Sequence, residues 1–366
     1  MRLAIDFINT SLGSGTKTYN LNLVRQVSKI KTKDIIYIFI TKNYFNEVPK
    51  IKNKNLKFII KPNFFSNTLF RITWMQIVFP LELKFRNINK LFSPMNICPV
   101  ILRFSNIKIY LGLHSNLPWK YFHLMPGSLI KKYFTKKMME WSIKCCNTLI
   151  ADSFFAKNEI INLLNINRKK VKVVYLGYNH KKNKLKKNNK NYFLSVLSCV
   201  KYHNIINLLS AYKDLKDKYD IMFYLVLQIL DKNYYLKIKN FITQNKLNNK
   251  VKILTNLPSA RLPALYKNCK LYIFTSYCEV FGLTTLEAMA YGCPVLVSNK
   301  SALPEINGNA AEYFDPDNIL QIKKKITEMI ENKKLRKKNK TNSYKHLKKF
   351  SWEKSATKTL KIIGVL

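Results

Sequence analysis

Residues 276–294 read Ser-Tyr-Cys-Glu-Val-Phe-Gly-Leu-Thr-Thr-Leu-Glu-Ala-Met-Ala-Tyr-Gly-Cys-Pro. Just before them, Leu271 to Phe274 is an unbroken apolar run, the pattern of a strand buried on both faces. Glu279 follows in a polar loop. Gly282 lets the backbone approach a ligand closely, and a helix begins near Thr284 or Thr285. The amides of Leu283, Thr284 and Thr285 open that helix, where N–H groups lack intrahelical partners and attract a diphosphate. Glu287 sits one turn in. Carboxylates accept paired hydrogen bonds from vicinal sugar hydroxyls, so Glu279 and Glu287 can hold two sugars flanking a diphosphate. Taken singly, each has a plainer account. Glu279 reads as a solvated loop residue and Glu287 as a first-turn acid favoured by the helix dipole. Together, around Gly282, they form a pattern too particular for that.

Working outward, strand-like runs recur on both sides. Tyr192 to Leu197, Ile221 to Leu227, Val251 to Leu254 and Pro294 to Ser298 belong with Leu271 to Phe274. Earlier come Arg2 to Ile8, Ile35 to Ile40, Leu56 to Ile60, Ile107 to Leu113, Thr148 to Ala151 and Val171 to Tyr175. Helical patterns lie between them, which implies parallel sheets wrapped by helices. The clearest helix is Leu129 to Cys146, with Ile130, Phe134, Met138, Trp141 and Cys145 on one stripe and four lysines opposite. The stripe is expected to pack on a core, with the lysine face, Tyr133 beside it, either solvated or resting on an anionic membrane. The run His180 to Asn191 is charge and amide apart from Leu185 and reads as a linker. The expected organisation is a first domain over 1–180, a basic linker over 181–191, a second domain over 192–345 and a last helix within 346–366.

A chain of 366 residues suits two domains. With 64 basic and 20 acidic residues, its formal charge is +44. Only 8 of the 64 are Arg, and the lysines are scattered, which suits codon bias better than a nucleic-acid groove. The charge still draws the chain to anionic surfaces, most plausibly a membrane face. Seven cysteines with no CxxC spacing argue against a metal site or disulfide framework and suit a reducing cytosol. The longest apolar stretch, Ile72 to Leu83, is broken by Gln76, Pro80 and Glu82 and is too short to span a bilayer.

The stretch Glu279 to Val295 resembles the E-x7-E signature of retaining GT-B glycosyltransferases of family 4. Ser301 to Asn318 is similar to that family's next segment, Phe350 to Leu360 to its closing helix, and Val173 to Asn179 to its hinge entry. The resemblance implies an α/β fold of GT-B type: two Rossmann-like, doubly wound domains facing across a cleft, the last helix crossing back to the first. It implies that Glu279 contacts the transferred sugar and Glu287 the ribose, with Phe281, Gly282, Leu283 and Thr284 along the diphosphate. Leu12 to Tyr19 resembles the family's glycine loop, with Gly15 retained and Ser14 before it. His114, in Leu-Gly-Leu-His-Ser-Asn at 111–116, stands where the family has His-Asp and is assigned to the donor sugar or reaction centre. The family's Pro positions hold Thr275 and Thr284. Its Arg-Lys pair against the diphosphate aligns with Tyr202 and His203, so Lys201 or a protonated His203 must supply the cation.

The activity so implied is retaining transfer of a hexose, of mannose or glucose type, from a nucleotide-diphosphate sugar to a hydroxyl of a glycan or lipid-linked acceptor. Cell-surface polysaccharide or lipopolysaccharide synthesis is the expected setting. The nucleotide sugar is substrate, and no cofactor is expected. No DxD metal motif lies in a fitting loop; Asp315-Pro316-Asp317 reads as a turn, so no metal is expected. The expected location is cytoplasmic, peripheral on the inner membrane face, with no specific nucleic-acid partner. Two other readings stay open: a sugar-nucleotide-binding homologue impaired in catalysis, and a nucleic-acid-directed glycosyltransferase or binder.

Overall fold

A computed structural model describes residues 1–8, 15–48, 53–179 and 191–366. All of the expected linker over 181–191 except its last residue, and loop residues Leu12 to Ser14, lie outside them. The chain divides into two compact units. The first is Met1–Asn116, Tyr133–Gly177 and Phe350–Leu366; the second is Leu117–Lys132 and Tyr178–Lys349.

The first unit is built on seven strands: β1 (Arg2–Asp6), β2 (Ile35–Thr41), β3 (Leu56–Lys61), β4 (Lys90–Ser93), β5 (Lys108–Leu113), β6 (Thr148–Ala151) and β7 (Val171–Val173). Their order is β3-β2-β1-β4-β5-β6-β7, and every pairing is parallel. Leu3, Ala4 and Ile5 are fully buried, as a central strand covered on both faces requires. The sheet order reverses between β1 and β4.

The second unit has β8 (Tyr192–Cys199), β9 (Met222–Ile229), β10 (Val251–Thr255), β11 (Leu271–Phe274), β12 (Val295–Ser298) and β13 (Glu312–Phe314). Their order is β10-β9-β8-β11-β12-β13, again all parallel. Here the reversal falls between β8 and β11. In open α/β sheets, ligands bind beyond the carboxyl ends of the strands at such a reversal. The fold therefore singles out the loops after β8 and β11, and those after β1 and β4.

The closing helix, Trp352–Ile363, belongs to the first unit. Ser351 caps it, its hydroxyl accepting from the Lys354 amide at 3.0 Å. Trp352, Ala356, Leu360 and Ile363 are buried at helical spacing. Gly177 lies against its start: a Cβ there would stand 2.2 Å from the Trp352 nitrogen, which gives the hinge-entry glycine its reason.

The helix Leu129–Cys145 corrects one expectation. It buries Met138, Met139, Ser142 and Ile143, while Ile130, Phe134 and Trp141 of the expected stripe are exposed. Periodicity located an apolar face; the helix turns a different one inward. No helix among the described residues is long and apolar enough to cross a membrane.

Candidate active site

In the second unit, β11 runs into the loop that carries Glu279, and the helix Leu283–Ala290 follows. Gly282 adopts φ +92°, and a Cβ on it would lie 2.8 Å from Leu303 Cδ2. Both facts demand glycine. The Thr285 amide donates back to the Gly282 carbonyl at 3.1 Å, and the Thr285 hydroxyl donates to the same oxygen at 2.8 Å. Thr285 is thus withdrawn from the expected set of open amides, which leaves Leu283 and Thr284. The Phe281 ring is buried, so what this residue offers the helix start is backbone.

The Thr284 hydroxyl accepts from Tyr272 at 2.8 Å. Glu287 is held one turn in, where the Tyr266 hydroxyl donates to it at 3.4 Å. Burial pushes the Glu287 carboxyl up to about 7, the Tyr266 hydrogen bond opposing.

After β8, Lys201–His203 form one tight turn, and Asn204 takes φ +54° before the helix Ile205–Lys213. His203 is buried and Lys201 is exposed. His203 Nδ1 lies 2.5 Å from the Ser198 carbonyl, which only accepts, so Nδ1 carries a proton. Nε2 lies 3.2 Å from Glu279 Oε1. Both ring nitrogens face acceptor oxygens, so a proton on Nε2 as well as Nδ1 would make the ring a cation beside the glutamate. Tyr202 supplies none; burial and the Glu279 charge push its hydroxyl up, so it stays a neutral phenol.

Backbone anchors fix the arrangement. The Glu279 amide donates to Ser301 Oγ at 2.9 Å, and its carbonyl accepts from the Ala302 amide at 3.1 Å. Thr275 Oγ1 donates to the His203 carbonyl at 2.7 Å, and the Tyr277 amide donates to the Tyr202 carbonyl at 2.9 Å. The end of β11 is thereby tied to the turn after β8, across the sheet reversal. Asn204 and Asn207 both donate to the Pro316 carbonyl. Lys300 pairs with Asp315 at 3.2 Å and reaches Asp317 at 3.8 Å, and the Tyr277 hydroxyl donates to Asp317 at 2.7 Å. The Asp315–Asp317 segment is a turn fastened by these partners.

In the first unit, His114 follows β5 and Asp152 follows β6. His114 Nδ1 lies 2.7 Å from Asp152 Oδ2, and the His114 amide donates to Asn96 Oδ1 at 2.6 Å. Asp152 is buried, which raises its carboxyl against the pull of His114. Nε2 has no hydrogen-bond partner among the described residues. Tyr19 packs on the His114 ring at 4.7 Å from the helix Gly15–Val27, which Gly15 opens.

Sequence reasoning missed the buried pair at the end of β1. Arg71 bonds Asp6 and donates through Nε to the Ile8 carbonyl at 2.9 Å. Burial raises the Asp6 carboxyl, and the Arg71 charge opposes that. The pair holds the chain where the glycine loop departs. Arg71 lies 65 residues from Asp6, so no local pattern signalled it.

Two parallel doubly wound units, the second with Glu279, Glu287 and His203 around a glycine-led helix start, are the architecture that the GT-B resemblance implies. Comparison with known proteins agrees. Residues 178–346 match the family described as glycosyl transferases group 1. The chain is 26% identical over 315 residues to O-antigen chain mannosyltransferase RfbU of Salmonella typhimurium, covering 83% of this chain and 84% of that protein. It is 30% identical over 236 residues to the uncharacterized glycosyltransferase MJ1178 of Methanocaldococcus jannaschii, covering 63% and 62%. Among solved structures, a glycosyltransferase from Rickettsia africae superposes with a TM-score of 0.74 at 19% identity, over 99% of this chain and 97% of that one. Anabaena Alr3699/HepE, solved with UDP and glucose, gives 0.76 at 15% identity, over 100% and 99%. The fold is GT-B, and the similarity to the group 1 glycosyltransferases lies in residues 178–346.

Proposed function

We propose that this chain transfers a hexose with retention from a nucleotide-diphosphate sugar to a hydroxyl of a glycan or lipid-linked acceptor. Mannose is the favoured sugar, since RfbU and other relatives are named mannosyltransferases, and O-antigen-type polysaccharide synthesis is the favoured setting. The observation that carries the reading is His203 against Glu279 beside the Gly282-led helix start.

In this reading Glu287 accepts from the ribose hydroxyls, and the amides of Leu283 and Thr284 take the diphosphate. Glu279 holds the sugar. The bond between the anomeric carbon and the phosphate oxygen breaks while the acceptor oxygen bonds the same face. The acceptor proton passes to the departing phosphate oxygen. The imidazolium of His203 offsets the charge gathering on that diphosphate. His114, its Nδ1 proton fixed by Asp152, is assigned to the same reaction. No metal is required in this scheme.

The test is a thermal-shift panel of UDP-, GDP- and ADP-sugars on wild type, Glu287→Ala and His203→Gln, followed by turnover with the donor that binds. One nucleotide class should shift wild type and not Glu287→Ala. His203→Gln should still bind while turnover falls about 100-fold, the size of losing one transition-state charge partner. EDTA should leave the wild-type rate unchanged. Tyr202, a phenol in place of a cation, favours a second reading: donor binding without turnover. A donor shift with no released nucleotide under any acceptor would establish it.

A further inference from the structure

The first unit carries an apolar surface that its core does not use. The helical segment 68–85 places Leu69, Thr73, Ile77, Leu81 and Phe85 at every fourth position, and all five are exposed. Ile77 is 62% exposed, Leu81 66% and Phe85 87%. Pro80 shapes the stripe. Having no N–H, it cannot bond the carbonyl four residues back, and the helix widens into a π-turn over Trp74–Val78, with the Phe79 amide donating to Trp74.

The surface continues onto neighbouring elements. The Gln76 side chain donates to the Cys98 carbonyl at 3.1 Å and accepts from the Val100 amide at 2.9 Å. The Cys98 amide in turn donates to Ser142 Oγ at 3.0 Å. These bonds place the turn Val100–Phe104 beside both helices. That turn exposes Ile101 and Phe104, the latter 83% exposed, and the helix Leu129–Cys145 exposes Trp141.

Apolar contact of this extent on one face calls for a covering partner, and charge selects it. From Phe64 to Lys108 the sequence holds six basic residues and one acid, Glu82. Glu82 is engaged by Lys61 at 2.6 Å and by the Trp74 indole at 2.9 Å. Lys84, Arg103 and Lys144 are exposed around the apolar face, while Lys137 is paired with Glu140 at 3.2 Å. A second copy would bring the same positive rim against itself, in a chain of formal charge +44. An anionic bilayer accepts both parts: the basic rim meets headgroups, and the aromatic and aliphatic residues enter the acyl boundary.

We propose that the face formed by Ile77, Leu81, Phe85, Ile101, Phe104 and Trp141 seats the first unit on an anionic phospholipid membrane. The inference stands on this surface and not on the reaction. It is tested by co-sedimentation with phosphatidylcholine vesicles, with and without phosphatidylglycerol, at low and high salt. The variant Ile77→Ser/Leu81→Ser/Phe85→Ser keeps every charge and alters only exposed side chains. Its melting temperature and donor shift report folding without reference to vesicles.

Wild type should bind the phosphatidylglycerol vesicles and not the neutral ones, and should retain part of that binding at high salt. The variant should lose on the order of tenfold in partitioning. Equal binding by variant and wild type would mean charge alone and overturns the proposal. So would no vesicle binding by wild type, or a wild-type dimer that the variant dissociates. A failed donor panel with vesicle binding intact would sink the transferase reading and leave this one standing.

Discussion

The two units share one plan and solve its consequences differently. Both are parallel sheets whose order reverses beside the first strand, and both place polar groups after the strands at that reversal. In the second unit those groups are knitted together by hydrogen bonds across the reversal, from Thr275 to His203 and from His203 to Glu279. Among the described residues, its exposed large apolar side chains, such as Leu236 and Leu320, are fewer than those of the first unit. In the first unit a buried ion pair fixes the end of β1, and apolar side chains gather on one face. The second unit ties its polar groups to one another, and the first leaves an apolar face turned outward.

The sharpest way to break this comparison is to remove that ion pair. Arg71→Met leaves the Asp6 carboxylate buried without its partner, and such losses cost about 3–5 kcal/mol. Hydrogen exchange should show β1 and β2 losing protection while β8 and β11 keep theirs. Asp6→Leu combined with Arg71→Met should recover much of the loss, because an apolar pair has no charge to desolvate. Equal loss in both units would show that they do not stabilise themselves separately.

The next effect belongs to the second unit. The Glu287 carboxyl is raised from 4.5 to about 7. Between those values the folded state binds a proton that the unfolded chain has released. The contribution is therefore present in full below 4.5 and is lost as pH rises through 7, by roughly 3 kcal/mol. Urea unfolding should show stability falling over that window, and Glu287→Gln should flatten the fall. Donor binding should run the other way, since the ionised carboxylate is the better acceptor for ribose hydroxyls. A wild-type profile no steeper than that of Glu287→Gln would place the titration elsewhere.

What could be read in advance follows the same division. The donor half was legible because its parts are contiguous: a buried strand, a glycine whose φ only glycine readily adopts, and a helix start within twenty residues. The strands were legible as apolar runs. Long-range partners were not. Asp152 meets His114 across 38 residues and Arg71 meets Asp6 across 65, and no periodicity joins them. Periodicity also cannot say which face turns inward, so the stripe on Leu129–Cys145 was found and its direction was not. The run around Ile72 to Leu83 was weighed only for its length. Its spacing by fours from Leu69 to Phe85, with a single acid nearby, was the signal for an outward face.

The smallest expected effect tests whether the second unit's network does more than hold the fold. The resemblance puts Thr275 at a position where the family has Pro, and its hydroxyl donates from the end of β11 to the His203 carbonyl. Thr275→Val keeps the shape and removes that donor, which should cost about 1 kcal/mol of stability. If the bond also aims His203, turnover should fall by less than in His203→Gln, with donor affinity nearly unchanged, because the helix start and Glu287 are untouched. If turnover and affinity both stay at wild-type values while stability drops, the hydroxyl is a fastening alone. His203 would then be oriented by Ser198 and Glu279, the two partners its ring already has.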